Sequence, residues 1–262
     1  MTFTTALLLG FIAGATILLG LPIGRVRRPA QTLRVLLTSG AIGVLLFLVW
    51  DVLSAAWAPI DGLLSSGRNP AALAGYSLLF LFGLAVGLLS ITMFQSMLAR
   101  RAARASDNLD PSPRRLAIFI AIGIGLHNFA EGLAIGQSAA IGEIGLAVVL
   151  VVGFALHNAT EGFGIVAPLA GSDRRPSWPF LLLLGLIGGG PTFVGTLVGF
   201  TFVSEPLSIL FLSLAAGSIV YVILQLVGVV WKFRRHDLVG YGVLAGLVAG
   251  FATDAILTAG GA

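Results

Sequence analysis

The chain has 262 residues, of which 57% are hydrophobic and 10% charged, and its mean hydropathy is +1.03. Soluble domains carry about 25% charged residues, so a water-soluble globule is excluded, and disorder, collagen-like repeats and nucleic-acid binding fall with it. The formal net charge is only +4, so where the charges lie matters more than their sum. With no cysteine in the chain, disulfides, thiolate metal sites and cysteine nucleophiles are ruled out.

A helix crosses the hydrocarbon of a bilayer in about 20 apolar residues. Taken in chain order, such runs occupy Thr2–Gly24, Val35–Trp57, Leu73–Ala99, Leu116–Ser138, Ile144–Leu169, Pro179–Val203, Leu207–Trp231 and Val239–Ala259. They predict an all-α integral membrane protein with eight transmembrane helices, forming one transmembrane domain over residues 1–262. The first run lacks a basic leading segment and an Ala-x-Ala-like stop, which reads as a retained helix rather than a cleaved signal. Barrel strands are excluded, because the runs are far longer than ~10 residues and do not alternate.

Basic residues then orient the chain. Arg25, Arg27, Arg28 and Arg34 follow helix 1, and Arg100, Arg101, Arg104, Arg114 and Arg115 follow helix 3. Arg174 and Arg175 follow helix 5, while Lys232, Arg234 and Arg235 follow helix 7. Fourteen of the 15 Lys and Arg residues thus fall in alternate loops, with Arg68 the exception. The positive-inside rule makes those loops cytoplasmic and puts both termini outside. The corresponding location is the plasma membrane, a bacterial inner membrane in the simplest case.

The informative residues are the polar ones inside helices. His127-Asn128-Phe129-Ala130-Glu131-Gly132 in helix 4 is repeated as His157-Asn158-Ala159-Thr160-Glu161-Gly162 in helix 5. An acid at the bilayer centre costs ~2.5–3.5 kcal/mol on insertion scales, so it faces a cavity or a partner. Within each copy, His and Glu at i and i+4 share a helix face, and Asn lies on an adjoining stripe. One imidazole nitrogen, one carboxylate and one amide oxygen then point the same way from each helix. Imidazole with carboxylate suits first-row divalent metals such as Zn²⁺. Consecutive helices run antiparallel, so His127 should lie near the level of Glu161, and His157 near that of Glu131. A lone His-Glu pair would serve equally as an internal ion pair, and a proton relay is the metal-free alternative for the doubled set.

At these residues the chain resembles the ZIP family of divalent-metal transporters, whose members carry H-N-x-P-E-G on helix 4 and a related motif on helix 5. Ala215-Ala216-Gly217-Ser218-Ile219-Val220-Tyr221 resembles the family's helix 7, and Gly250-Phe251 with Asp254 its helix 8. The resemblance implies metal uptake towards the cytoplasm through a site between helices 4 and 5, flanked by two inverted three-helix units. It places His127, Asn128, Glu131, His157, Asn158 and Glu161 at the metal-binding positions. Three departures stand out. Ala130 and Thr160 replace the motif prolines, Gly188-Gly189-Gly190-Pro191 lacks the usual helix 6 glutamate, and Gln225 stands where helix 7 often carries an acid. One well-formed metal site is therefore expected.

Asp51 in helix 2 and Asp254 in helix 8 are further candidates for the metal pathway. The expected function is transport of a divalent transition metal, Zn²⁺ first, with the ion as substrate and no organic cofactor. Its other partner is membrane lipid, and a homodimer is left open. Two alternatives share the residues: an intramembrane metal-dependent hydrolase, which would need an open metal position and a general base, and a proton-coupled permease for a small solute. The first is opposed by the lack of H-E-x-x-H, so no enzymatic activity is expected.

Overall fold

The computed structural model describes residues 2–26, 31–67, 69–104, 113–140, 151, 154, 158–169 and 175–259. Arg27, Arg28, Arg68, Arg174 and His157 lie outside the described residues. Among those described, every regular element is helical, and seven helices are long and apolar enough to cross a membrane. The first, α1, runs over Phe3–Arg25. It is followed by α2 (Gln31–Ser66), α3 (Pro70–Arg104) and α4 (Pro113–Ala140). Residues 158–166 form the described part of α5. The remaining helices are α6 (Trp178–Thr201), α7 (Glu205–Trp231) and α8 (His236–Ala259).

Local chemistry explains where the helices start and stop. The Thr2 hydroxyl accepts from the Thr5 amide at 3.2 Å and opens α1, and Asn69 does the same for α3 through Ala72 at 3.0 Å. Prolines sit in the first turns of α6 and α7, where the missing N–H is harmless. Gly67 closes α2 with a φ of +61°, a left-handed conformation that a residue without Cβ adopts cheaply. The α2 and α3 helices have 36 and 35 residues, longer than expected because their polar ends continue the ladder. Asp61 thus lies inside α2, past the expected end at Trp57. At ~1.5 Å per residue such helices exceed the ~30 Å hydrocarbon core, so they tilt or project from it.

Helix pairing divides the molecule into two groups. In the first, α6 packs against α4 and α1; in the second, α2 packs on α8 and α7, and α3 on α7. The α4–α7 contact joins the groups. The main pairs are unchanged when α1, α2 and α3 are exchanged for α6, α7 and α8: α1–α6 and α2–α7 map onto themselves, while α2–α8 and α3–α7 swap. This is the inverted two-unit arrangement the resemblance implies, and it is invisible in the amino-acid order. Without a hydrophobic drive between helices in lipid, close backbone approach has to supply the packing. A methyl group at Gly132 would collide with the Thr192 carbonyl, and one at Gly195 with the Phe129 carbonyl, so α4 and α6 meet backbone to backbone.

The basic ends gather on one side. Arg25 hydrogen-bonds the Pro176 carbonyl and stacks on Trp178 at 4.8 Å. Arg114 lies over Phe180 at 4.4 Å, and Arg34 over Phe233 at 4.8 Å. Arginine with aromatic rings is the pairing of a membrane–water interface. Tyr76 and Glu205, 3.0 Å apart, tie α3 to α7 at the other end.

Candidate metal site

The polar residues of helices α4 and α5 come together. His127 is the fifteenth residue of the 28-residue α4, and its imidazole Nε2 stands 3.0 Å from Glu131 Oε1 on the next turn. Glu161 Oε1 reaches the same nitrogen from α5, at 3.8 Å. The level matching expected of antiparallel helices therefore holds for His127 and Glu161. These three side chains are 1–4% exposed, and Asn128 and Asn158 are fully buried.

The two asparagines play matching parts. Asn128 donates its Nδ2 hydrogen to the Gly188 carbonyl of α6 at 3.0 Å. Asn158 donates to the Ala13 carbonyl of α1 at 3.1 Å. Each motif helix is thus bonded to a different neighbour, and the two neighbours are equivalent under the exchange of halves. With the nitrogens so engaged, both Oδ1 atoms are buried without a hydrogen-bond partner. A buried polar atom left in that state is costly, and oxygen is the end of the amide that a cation would use.

Both acceptor helices carry a residue that disturbs the backbone ladder beside these bonds. Thr16 breaks α1: its hydroxyl bonds back to Ala13 O at 2.6 Å, competing with the helical ladder. Pro191 lies within α6 and has no amide to give Ile187, so that carbonyl is freed. The α4 helix itself is continuous through Ala130, the residue at the motif proline position. Ala130 instead packs with Val52, Ala215 and Ala216 where α4 meets α2 and α7.

Other candidates divide. Asp51 on α2 is half-buried and near enough for its charge to act on His127. Asp254 is half-buried on α8, which packs chiefly on α2, and is not brought to the motif. Gln225 donates to Gln95 Oε1 at 3.3 Å, and the Tyr221 hydroxyl donates to the same oxygen at 2.9 Å. Gln225 was singled out as a departure, but its partner Gln95, the Gln137–Ser208 pair at 3.0 Å between α4 and α7, and the buried Thr192 hydroxyl were not. A glutamine within an apolar run was the available signal for the first two.

Chemically, the arrangement is one nitrogen flanked by two carboxylate oxygens from different helices. Among the described residues no three His, Asp or Glu side chains are disposed to hold an ion. Both carboxylates approach the imidazole nitrogen itself, at 3.0 and 3.8 Å. His157, the candidate fourth ligand, lies outside the described residues. Asn128, Glu131, Asn158 and Glu161 are all on the two helices that the sequence motifs indicate.

A family model described as ZIP zinc transporter matches residues 99–257, from the end of α3 through almost all of α8, including both motif helices. No curated protein matches the chain. A match over more than half the chain, joined to an all-helical membrane architecture, settles the family: the chain belongs to the ZIP transporters.

Proposed function

We propose that this ZIP transporter carries a divalent transition metal, Zn²⁺ foremost, across the plasma membrane towards the cytoplasm. Its transient ligands are His127, Glu131, His157 and Glu161, with Asn128 and Asn158 supplying auxiliary oxygens. The observation that carries this reading is the position of the His127 Nε2 atom, 3.0 and 3.8 Å from carboxylates of two different helices. Tetrahedral zinc ligands at 2.0–2.2 Å from the metal stand roughly 3.4 Å apart, between those two distances. Small side-chain rotations then suffice to turn the pairwise contacts into a shared coordination sphere, with Nε2 unprotonated as a metal ligand must be.

Electrostatics supports the same reading. Two carboxylates buried in a low-dielectric interior repel, and only a cation or protons make the arrangement affordable. A divalent ion neutralises both, while imidazole softens the site in favour of zinc over magnesium or calcium. Metal and proton compete for the same atoms, so acid should weaken binding. Asp51 extends the negative field towards the second helix group and is proposed as a pathway residue, and Asp254 as a weaker cation attractor along the route. Both termini outside follows from the basic alternate loops, and the clustering of those ends on one side supports it.

The test is zinc-65 flux into proteoliposomes holding the purified chain. Saturable uptake that Glu131→Ala abolishes is expected; uptake unchanged by that substitution would remove the site. Metal-independent transport of an organic solute by a zinc-free preparation would replace the metal carrier with a permease.

A further inference from the structure

Thr192 is fully buried on α6, and its hydroxyl has no hydrogen-bond partner. Its neighbours behave differently. Thr196 donates to the Thr192 carbonyl at 2.9 Å, and Thr201 to that of Leu197 at 2.9 Å. Bonding back to the preceding turn is how a helical hydroxyl in lipid is ordinarily satisfied. The carbonyl one turn before Thr192 belongs to Gly188, and that oxygen already accepts from Asn128. The Thr192 hydroxyl stands one turn from the carbonyl that holds the motif asparagine and makes no bond to it.

Its position is more telling than its lack of a partner. Thr192 is one turn, about 5.4 Å of rise, from the Gly188 carbonyl that fixes Asn128. Its Cβ also packs against Gly14 of α1, the residue after the Ala13 carbonyl that fixes Asn158. Asn128 Oδ1, Asn158 Oδ1 and Thr192 Oγ1 are thus three buried, unpartnered oxygens on α4, α5 and α6, each on a residue that bonds to or packs on α1 or the Gly188 turn of α6. Buried water typically makes about three hydrogen bonds to such groups.

We propose that Thr192 is a further substrate-binding residue: with the two asparagine oxygens it holds a water that the transported cation keeps as a ligand. This rests on the carrier reading above. The motif carboxylates and imidazoles supply charge and nitrogen, and the triad supplies neutral oxygen on the helix that carries no glutamate before Pro191. Oxygen and water ligands suit Mn²⁺, whereas imidazole suits Zn²⁺. The Thr192 hydroxyl thus widens the range of accepted metals, and it sets selectivity rather than the basic capacity to bind.

The experiment is calorimetric titration of the full chain in detergent with Zn²⁺ and, separately, Mn²⁺, together with thermal unfolding of the metal-free protein. Thr192→Val keeps the shape and removes the oxygen. It should raise the dissociation constant for Mn²⁺ about tenfold and that for Zn²⁺ less than threefold, scaled to loss of an outer-sphere partner, while raising the unfolding temperature. Thr192→Ser, which retains the hydroxyl, should restore the wild-type selectivity. Unchanged affinities in the valine variant, an equal loss for both metals, or a serine variant as impaired as valine overturns the assignment. If the wild-type chain binds neither metal, the carrier site itself falls and the assignment with it; if it binds both and valine alters neither, only the assignment falls.

Discussion

Two polar clusters within the helices, one half-buried and one fully buried, look alike by composition and differ in how their polar atoms are paired. In the α2/α3/α7/α8 group, Gln95 Oε1 accepts from both Tyr221 and Gln225, so amide and phenol answer one another across α3 and α7. In the α1/α4/α5/α6 group, Asn128 and Asn158 spend their nitrogens on helix carbonyls and leave their oxygens, with that of Thr192, unanswered. A satisfied network fastens helices together; a buried set of open oxygens suits the cation proposed for the motif helices. Polar residues within apolar helices are thus not equivalent signs of function, and bonding completeness separates the two kinds.

That contrast is broken or sharpened by substitution. The largest effect should come from Glu161→Ala, which removes the carboxylate that α5 brings to His127. Saturable zinc-65 uptake should fall by more than the ~100-fold that loss of an outer partner costs; a loss of less than about threefold would show that the two motif helices do not act on one ion. Next, Asn128→Leu releases α4 from α6 and strands the Gly188 carbonyl. We expect ~1–2 kcal/mol lower stability in denaturant titrations, together with about tenfold weaker metal binding; stability lost with affinity intact would make the asparagine a fastener alone. The smallest effect is expected at Gln225→Leu, which cuts one bond of the complete network. Stability should drop by ~0.6 kcal/mol, the average for interhelical hydrogen bonds in a membrane protein, with the KM for zinc unchanged. A KM shift there would move Gln225 into the transport route and erase the distinction.

The doubled motif was legible because the two copies stand out chemically against their surroundings. His127 and Glu131 share a helix face by the 3.6-residue repeat, and antiparallel connection brings Glu161 to the same imidazole. The departure at the motif proline was legible as well, but its consequence was not. Nothing in Ala130 says that its own helix stays continuous while α1, which receives the Asn158 bond, breaks at Thr16. Thr192 escaped notice because threonine is ordinary in membrane helices, where its hydroxyl returns to its own backbone. Only its burial without a partner, one turn from the carbonyl that holds Asn128, makes it exceptional.

By itself the amino-acid order determined the membrane-spanning helices, the alternation of basic ends and the repeated donor set, because hydropathy, the positive-inside bias and helical periodicity are local properties. The two-unit exchange of α1–α3 with α6–α8, the choice of α6 and α1 as partners of the asparagines, and the oxygens left open were decided by tertiary structure. They depend on which glycine faces meet at backbone distance and which carbonyls are then within reach. Such close approaches are set jointly by residues far apart along the chain.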